Sequence, residues 1–190
     1  MQAALEAEIT EFLGRDRYEP GRGLRGCPAR LAERVPGGDR QNDRRSGATI
    51  AAQDAMLLDR VTYETFAAHW PHQTGEMADT MNSTAKYVVS GTLESANWQN
   101  STLIPAASAF AEIAELKQQQ GQNIGMTGSA TLVSSLLREG LLDELHLFVF
   151  PVVLGSGKRL FGEPGDKLAL KLIDSATFET GVVHLTYAKA

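Results

Sequence analysis

Residues 123–160, NIGMTGSATLVSSLLREGLLDELHLFVFPVVLGSGKRL, constrain the fold more than any other part of this chain. Residues 124–126 read as a short buried strand, and Gly125-Met126-Thr127-Gly128-Ser129 carries that strand into a turn. Residues 129–139 then place Leu132, Val133, Leu136 and Leu137 at helical spacing, with Gly140 at the C-terminal end. Residues 144–153 follow as the longest strand, and Pro151 within it marks an edge or a bulge. Leu154-Gly155-Ser156-Gly157-Lys158-Arg159 forms a second glycine loop. Two turns able to hold phosphate are thus threaded onto one strand–helix–strand unit.

The segments on either side continue the alternation. Residues 50–53 read as the end of a helix, and Ala55-Met56-Leu57-Leu58 as a buried strand. Asp59-Arg60-Val61-Thr62 turns into a helix over residues 63–69, which ends before Pro71. Residues 86–90 are β-branched and aromatic, and residues 101–104 form another short strand. Ser108 is a suitable N-cap for a helix running to about residue 120, with Phe110, Ile113 and Ala114 on its inner face and Gly121 at its end. Residues 168–173 and 182–187 are the last two strands, antiparallel across residues 174–181. Strands alternating with helices, then adjacent strands, predict an α/β sandwich with a mixed sheet.

At 190 residues the chain fits one domain with a substantial hydrophobic core, and 43% hydrophobic with 22% charged residues is ordinary for a soluble globular protein. A net charge of −5 argues against a general nucleic-acid binder, whose affinity needs a basic surface. Cys27 is the only cysteine, so no internal disulfide forms, which is compatible with a reducing cytosol. No apolar run approaches the roughly 18 residues that span a bilayer. The start, MQAALEAEITEF, carries acids where a signal peptide carries bases, so a cytoplasmic location is expected, with no membrane partner. The Asn-Ser-Thr triplets at Asn82 and Asn100 are therefore read as chance matches to the glycosylation pattern.

Residues 1–46 differ from the rest: they hold nine arginines, no lysine and eight acids, so they are nearly neutral while residues 47–190 carry the negative balance. Residues 1–13 can form a short helix with Leu5, Ile9, Phe12 and Leu13 along one face, and residues 14–46 have no clear period. The expectation is an irregular N-terminal segment, 1–46, ahead of a domain at 47–190. A basic arm for RNA is disfavoured because its acids are interspersed.

Each candidate site has a functional and a structural reading. Gly128 and Ser129, where a strand meets a helix N-terminus, can receive a phosphate or can be an ordinary N-capped turn. Leu154, Gly155 and Ser156 begin a loop that can wrap a pyrophosphate or simply carry solvated bases. Arg60 can fork onto a phosphate, and Thr62 can bond one or cap its helix. Asp143 and Glu144 can supply an acid or stop the preceding helix. His69, His72, His146 and His184 are dispersed, and no metal site is expected. No serine lies in a nucleophile elbow.

Taken together, LLDRVTYETFAAHWP, KYVVSGTL, MTGSATLVSSLLREGLLDELHLFVFPVVLGSGKRLF and GVVHLTYAKA resemble the bacterial bifunctional deaminase-reductase C-terminal domain family, the riboflavin-pathway reductase domain. The resemblance runs from about residue 47 to the C-terminus. It implies a dihydrofolate reductase-like three-layer sandwich with a mixed, largely parallel central sheet, NADPH across the strand ends, and a homodimer. By resemblance Arg60 and Thr62 contact cofactor phosphates, and Ser90 begins the turn near the adenosine 2′-phosphate. Gly125, Gly128, Ser129 and Ala130 match the turn at the pyrophosphate and nicotinamide half, while Leu154, Gly155 and Ser156 match the loop beside nicotinamide and substrate.

Three departures from the family pattern stand out. Asp59 replaces the glycine before the arginine, and Gly91 replaces a basic residue after the Ser90 position. Nothing legible in residues 1–46 supplies the family's apolar first strand or its Ser-Leu-Asp-Gly turn, so no catalytic residue is assigned. The resemblance implies an NADPH-dependent reductase of the 5-amino-6-(5-phosphoribosylamino)uracil reductase type, acting on a small heterocyclic substrate. The deaminase zinc motif is missing from the sequence. The alternative is a non-catalytic nucleotide-binding or interaction protein that has lost its N-terminal strand.

Overall fold

A computed structural model of the chain describes residues 4–9, 53–153, 160–161 and 167–190. Its strands are β1 (Ala4–Ile9), β2 (Gln53–Asp59), β3 (Ala85–Ser90), β4 (Ser101–Pro105), β5 (Asn123–Thr127), β6 (Glu144–Val149), β7 (Leu170–Thr177) and β8 (Val183–Lys189). Its helices are α1 (Arg60–His69), α2 (Glu76–Ser83), α3 (Ala109–Gln118) and α4 (Ala130–Arg138), with a 3₁₀ turn at Trp70–His72. The strands form one eight-stranded sheet in the order β4-β3-β2-β5-β1-β6-β8-β7. β1 through β6 are mutually parallel where they pair, and β8 is antiparallel to both β6 and β7. This is the expected mixed, largely parallel sheet.

β1 corrects the N-terminal expectation. Ala4–Ile9 is a strand lying between β5 and β6, not a helix, and it belongs to the same sheet as the rest of the chain. The apolar positions Leu5 and Ile9 have helical spacing, but Leu5-Glu6-Ala7-Glu8-Ile9 also alternates with period two. Two flanking strands offering backbone partners on both edges decide between these readings, because tertiary context overrides weak local propensity. The first strand has therefore not been lost.

Around β2 the sheet is buried on both faces. Ala55 and Leu57 of β2 join Ile124, Met126, Ile113, Leu132, Val133 and Leu136 beneath α3 and α4. Met56 and Leu58 join Tyr63, Met81, Val88 and Trp98 beneath α1 and α2. That double burial explains why residues 55–58 form a continuous apolar run instead of alternating. Leu57 and Leu58, at 0% and 1% exposure, each contribute about 1.5–3 kcal/mol by transfer from water.

Local signals mark several boundaries. Gly140, at φ 66°, ends α4: its N–H donates to Leu137 O, and the Leu141 N–H to Leu136 O. These two bonds make a Schellman motif. α3 buries Ala109 and Ile113, whereas Phe110 is 39% exposed, so the inner face is rotated from the expected one. Ser108 occupies the N-cap position, but its hydroxyl donates to Glu112 Oε1 at 2.5 Å and does not accept from the helix. β6 stops at Val149, short of Pro151, because β8 pairs with it only as far as Val183. β7, with eight residues, is longer. α2 has no counterpart in the sequence-based expectation. Both Asn-Ser-Thr asparagines are engaged internally: Asn82 Nδ2 donates to Trp70 O, and Asn100 Nδ2 to Ser83 O.

Candidate functional site

Parallel strands bring their C-terminal ends to one edge of the sheet. β2 and β5 are neighbours there, yet the chain leaves them in opposite directions, from β2 towards β3 and from β5 towards β6. α1 packs on the face of Met56 and Leu58, and α4 on the opposite face, with Ala55 and Leu57. This is a topological switch point, and the topology calls for a crevice between the strand ends. Open α/β sheets bind ligands at such a switch point, where helix N-termini present unpaired N–H groups.

Met56 is the Cα partner of Gly125; beyond the paired residues Arg60 opens α1, and Ser129 is the N-cap of α4. Across the crevice Gly128 lacks a side chain and has φ 78°, and a Cβ there would meet Thr62 Oγ1 at 3.6 Å. Ser129 is itself left-handed (φ 53°, ψ 72°), a conformation that costs a non-glycine residue on the order of 1 kcal/mol. Its Oγ accepts from the Leu132 N–H at 3.3 Å. Ala130 opens α4. On the neighbouring strand Ser90 ends β3, buried, and its Oγ accepts from the Thr92 and Leu93 N–H groups at 3.1 and 3.0 Å.

The structure thus brings Arg60, Thr62, Gly128, Ser129 and Ala130 to one crevice, with Ser90 on the adjacent strand end. Gly125 is separate. It lies within β5, buried, and a Cβ there would overlap the Gln53 side chain. Its lack of a side chain makes room for Gln53. Leu154, Gly155 and Ser156 lie outside the described residues.

Two carboxylates already engage the cationic features of the β2 side. Asp59 caps α1, its Oδ1 accepting from the Thr62 N–H at 2.9 Å, so Asp59 and not Thr62 is the cap. Arg60 Nη1 donates to Glu64 Oε1 and Oε2 at 3.0 and 2.9 Å in a half-exposed pair one helical turn long. The N-terminus of α1 thus carries the Asp59 charge, and the Arg60 fork is held by Glu64. Asp59→Asn keeps an oxygen acceptor and removes the charge. It is expected to tighten binding of a dinucleotide phosphate roughly fivefold at low salt, from about 1 kcal/mol of helix-end electrostatics. Isothermal titration of both proteins checks this, and equal affinities would remove Asp59 from the site.

Asp143 has a structural role, since its carboxylate pairs with Lys117 Nζ at 2.7 Å. Glu144 is the acid that meets a titratable partner, its Oε2 lying 3.3 Å from His146 Nε2. Among the described residues no group of three potential metal ligands converges, and no helix is long and apolar enough to cross a membrane.

Residues 32–184 match the model of the RibD C-terminal domain family. The Bacillus subtilis (strain 168) protein named Uncharacterized protein YyaP is 30% identical over 139 residues, covering 70% of this chain and 73% of its own. RibD of Acinetobacter baumannii superposes with a TM-score of 0.58 at 17% identity, over 100% of this chain and 58% of that one. Dihydrofolate reductase from Enterococcus faecalis, complexed with NADP(H), superposes with a TM-score of 0.55 at 12% identity, over 99% and 97% of the two chains. At these identities the superpositions establish a shared dihydrofolate reductase-like fold.

Proposed function

Because the chain belongs to the RibD C-terminal domain family, we propose that it is an NADPH-dependent reductase of the 5-amino-6-(5-phosphoribosylamino)uracil reductase type, reducing a small heterocyclic substrate. The observation that carries this reading is the crevice between β2 and β5, where Thr62 faces a left-handed, side-chain-free Gly128 at the N-terminus of α4. A nicotinamide cofactor would supply the hydride, and this chain's residues would bind and orient it. The Gly128-Ser129 turn allows close backbone approach, and the first turn of α4 offers N–H groups beyond those of Leu132 and Val133, which are bonded to Ser129. Arg60 supplies a planar fork for a phosphate once Glu64 is displaced.

Titrating NADPH with the protein while following nicotinamide fluorescence tests the reading. Binding tighter than about 1 mM is expected, and weaker binding would sink it. Oxidation of the bound cofactor on adding a pyrimidine or dihydrofolate-like substrate then distinguishes a reductase from a protein that only holds the nucleotide. Arg60→Ala is expected to weaken NADPH binding, because it removes the fork assigned to a cofactor phosphate. A NADPH-to-NADH affinity ratio falling towards one would identify that phosphate as the 2′-phosphate, an unchanged ratio with weaker binding of both as the pyrophosphate, and unchanged affinity for both would remove Arg60 from the site.

A further inference from the structure

Away from the crevice, the antiparallel side of the sheet buries two histidines against each other. His146 of β6 is 9% exposed and His184 of β8 is 5% exposed. His146 Nδ1 lies 3.2 Å from His184 Nε2 and 3.3 Å from Thr186 Oγ1. The rings stack at a 12° interplanar angle, and His184 stacks in turn on Phe148 with centroids 4.4 Å apart. Phe148 packs with Phe178 and Val182.

Acidic residues near this pair lie on β6 and β7, and two more stand in backbone register on β1. Glu144 of β6 places Oε2 3.3 Å from His146 Nε2, close enough for charge attraction, although Nε2 makes no aligned hydrogen bond. Asp174 of β7 is the register partner of Thr186. On β1, Glu8 and Glu6 are the Cα partners of His146 and Glu144.

We propose that the His146–His184 pair is a one-proton latch between β6 and β8. The contact between the two ring nitrogens needs one to donate and the other to accept. With His146 Nδ1 as acceptor from His184, its Nε2–H is on the side of Glu144. A doubly neutral or singly protonated pair satisfies this arrangement. A second proton puts like charges 3.2 Å apart in a buried site, and the strands separate there. Acidification therefore loosens β8, and the β7–β8 hairpin with it, from β6. That strand leads directly into residues 150–153 on the C-terminal side of the sheet.

Burial pushes the His146 ring below the ordinary histidine value, against the Coulombic pull of Glu144 and Asp174. The unfolded chain consequently binds more protons between the folded value and about 6.5, and stability falls as pH drops through that window.

Two measurements on the full chain test the latch. In a proton NMR titration of the wild type, the two buried imidazoles should titrate in steps separated by more than about one pH unit. Independent titration of both rings near the ordinary value would overturn the proposal. Amide exchange at Leu185 and Tyr187 should accelerate about tenfold between about pH 7.5 and about pH 5, beyond the change in intrinsic exchange rate. In His184→Gln, which retains a hydrogen-bonding group and cannot charge, that acceleration should vanish, and its persistence would also overturn the latch. The wild-type titration decides the matter if the variant does not fold.

Discussion

Lys86→Met is expected to lower the melting temperature by roughly 5–15 °C, the consequence of losing about 2–4 kcal/mol in a domain of this size. Lys86 is 1% exposed, on β3. Its Nζ donates to Thr84 O at 2.6 Å, Asn82 O at 3.0 Å and Gln99 O at 3.1 Å, and lies 4.2 Å from the centroid of the Trp98 ring. Two of these carbonyls stand at the C-terminus of α2, where the helix presents unpaired acceptors and negative partial charge. An apolar isostere often replaces a buried ion pair without loss, because both charges leave together. Here the partners are backbone carbonyls that no side-chain substitution removes, so methionine leaves three part-buried acceptors without their donor. Each such loss costs about 1–3 kcal/mol, which outweighs the relief of burying less charge.

The same site has a pH signature. Burial lowers the Lys86 ammonium from 10.5 to about 8. Below the folded value both states are protonated and the full cost of burying the charge is present. As pH rises towards the unfolded value, the unfolded chain holds more protons, and the wild type gains up to about 3 kcal/mol from this group. The gap between wild type and Lys86→Met, measured by urea denaturation at successive pH values, should therefore widen between the two pKa values. A constant gap would show that Lys86 does not titrate differently in the folded protein.

Gly128→Val is expected to weaken nicotinamide dinucleotide binding by more than about a hundredfold while the fold persists. At φ 78° a β-branched residue is strained, and left-handed geometry costs an L-residue about 1–2 kcal/mol. That is a few degrees of melting temperature for this domain size. The larger effect is steric. A Cβ at this position already meets Thr62 Oγ1 at 3.6 Å, so the two γ-methyl groups of valine project into the crevice between β2 and β5. Gly128→Ala carries the strain without the γ-methyl groups and should lose much less affinity. Wild-type affinity in the valine variant would place the cofactor elsewhere.

How legible each feature was depended on how local its cause is. Gly140 ends α4 through bonds spanning five residues, and Ser129 caps the same helix three residues away, so both could be read directly. The apolar stripe of Leu132, Val133 and Leu136 likewise predicted a buried helix face. Lys86 left a weaker trace: it shares strand parity with the buried Val88 and Ser90, which places it inside, but nothing nearby in sequence announces the carbonyl cage. Asp59 was recognisable as a departure from the family pattern. Its capping of α1 is local and could have been inferred from an acid three residues before Thr62.

The sequence by itself determined the strand–turn–helix–strand unit around Gly128, the two-faced burial of residues 55–58 and the family to which the chain is similar, because periodicity, caps and turns act over a few residues. Only the tertiary structure decided that Ala4–Ile9 is a strand between β5 and β6, that Thr62 and Gly128 share a crevice, and that His146 meets His184. These contacts join segments tens of residues apart. Their energy comes from the order in which strands pair, and no local pattern encodes that order.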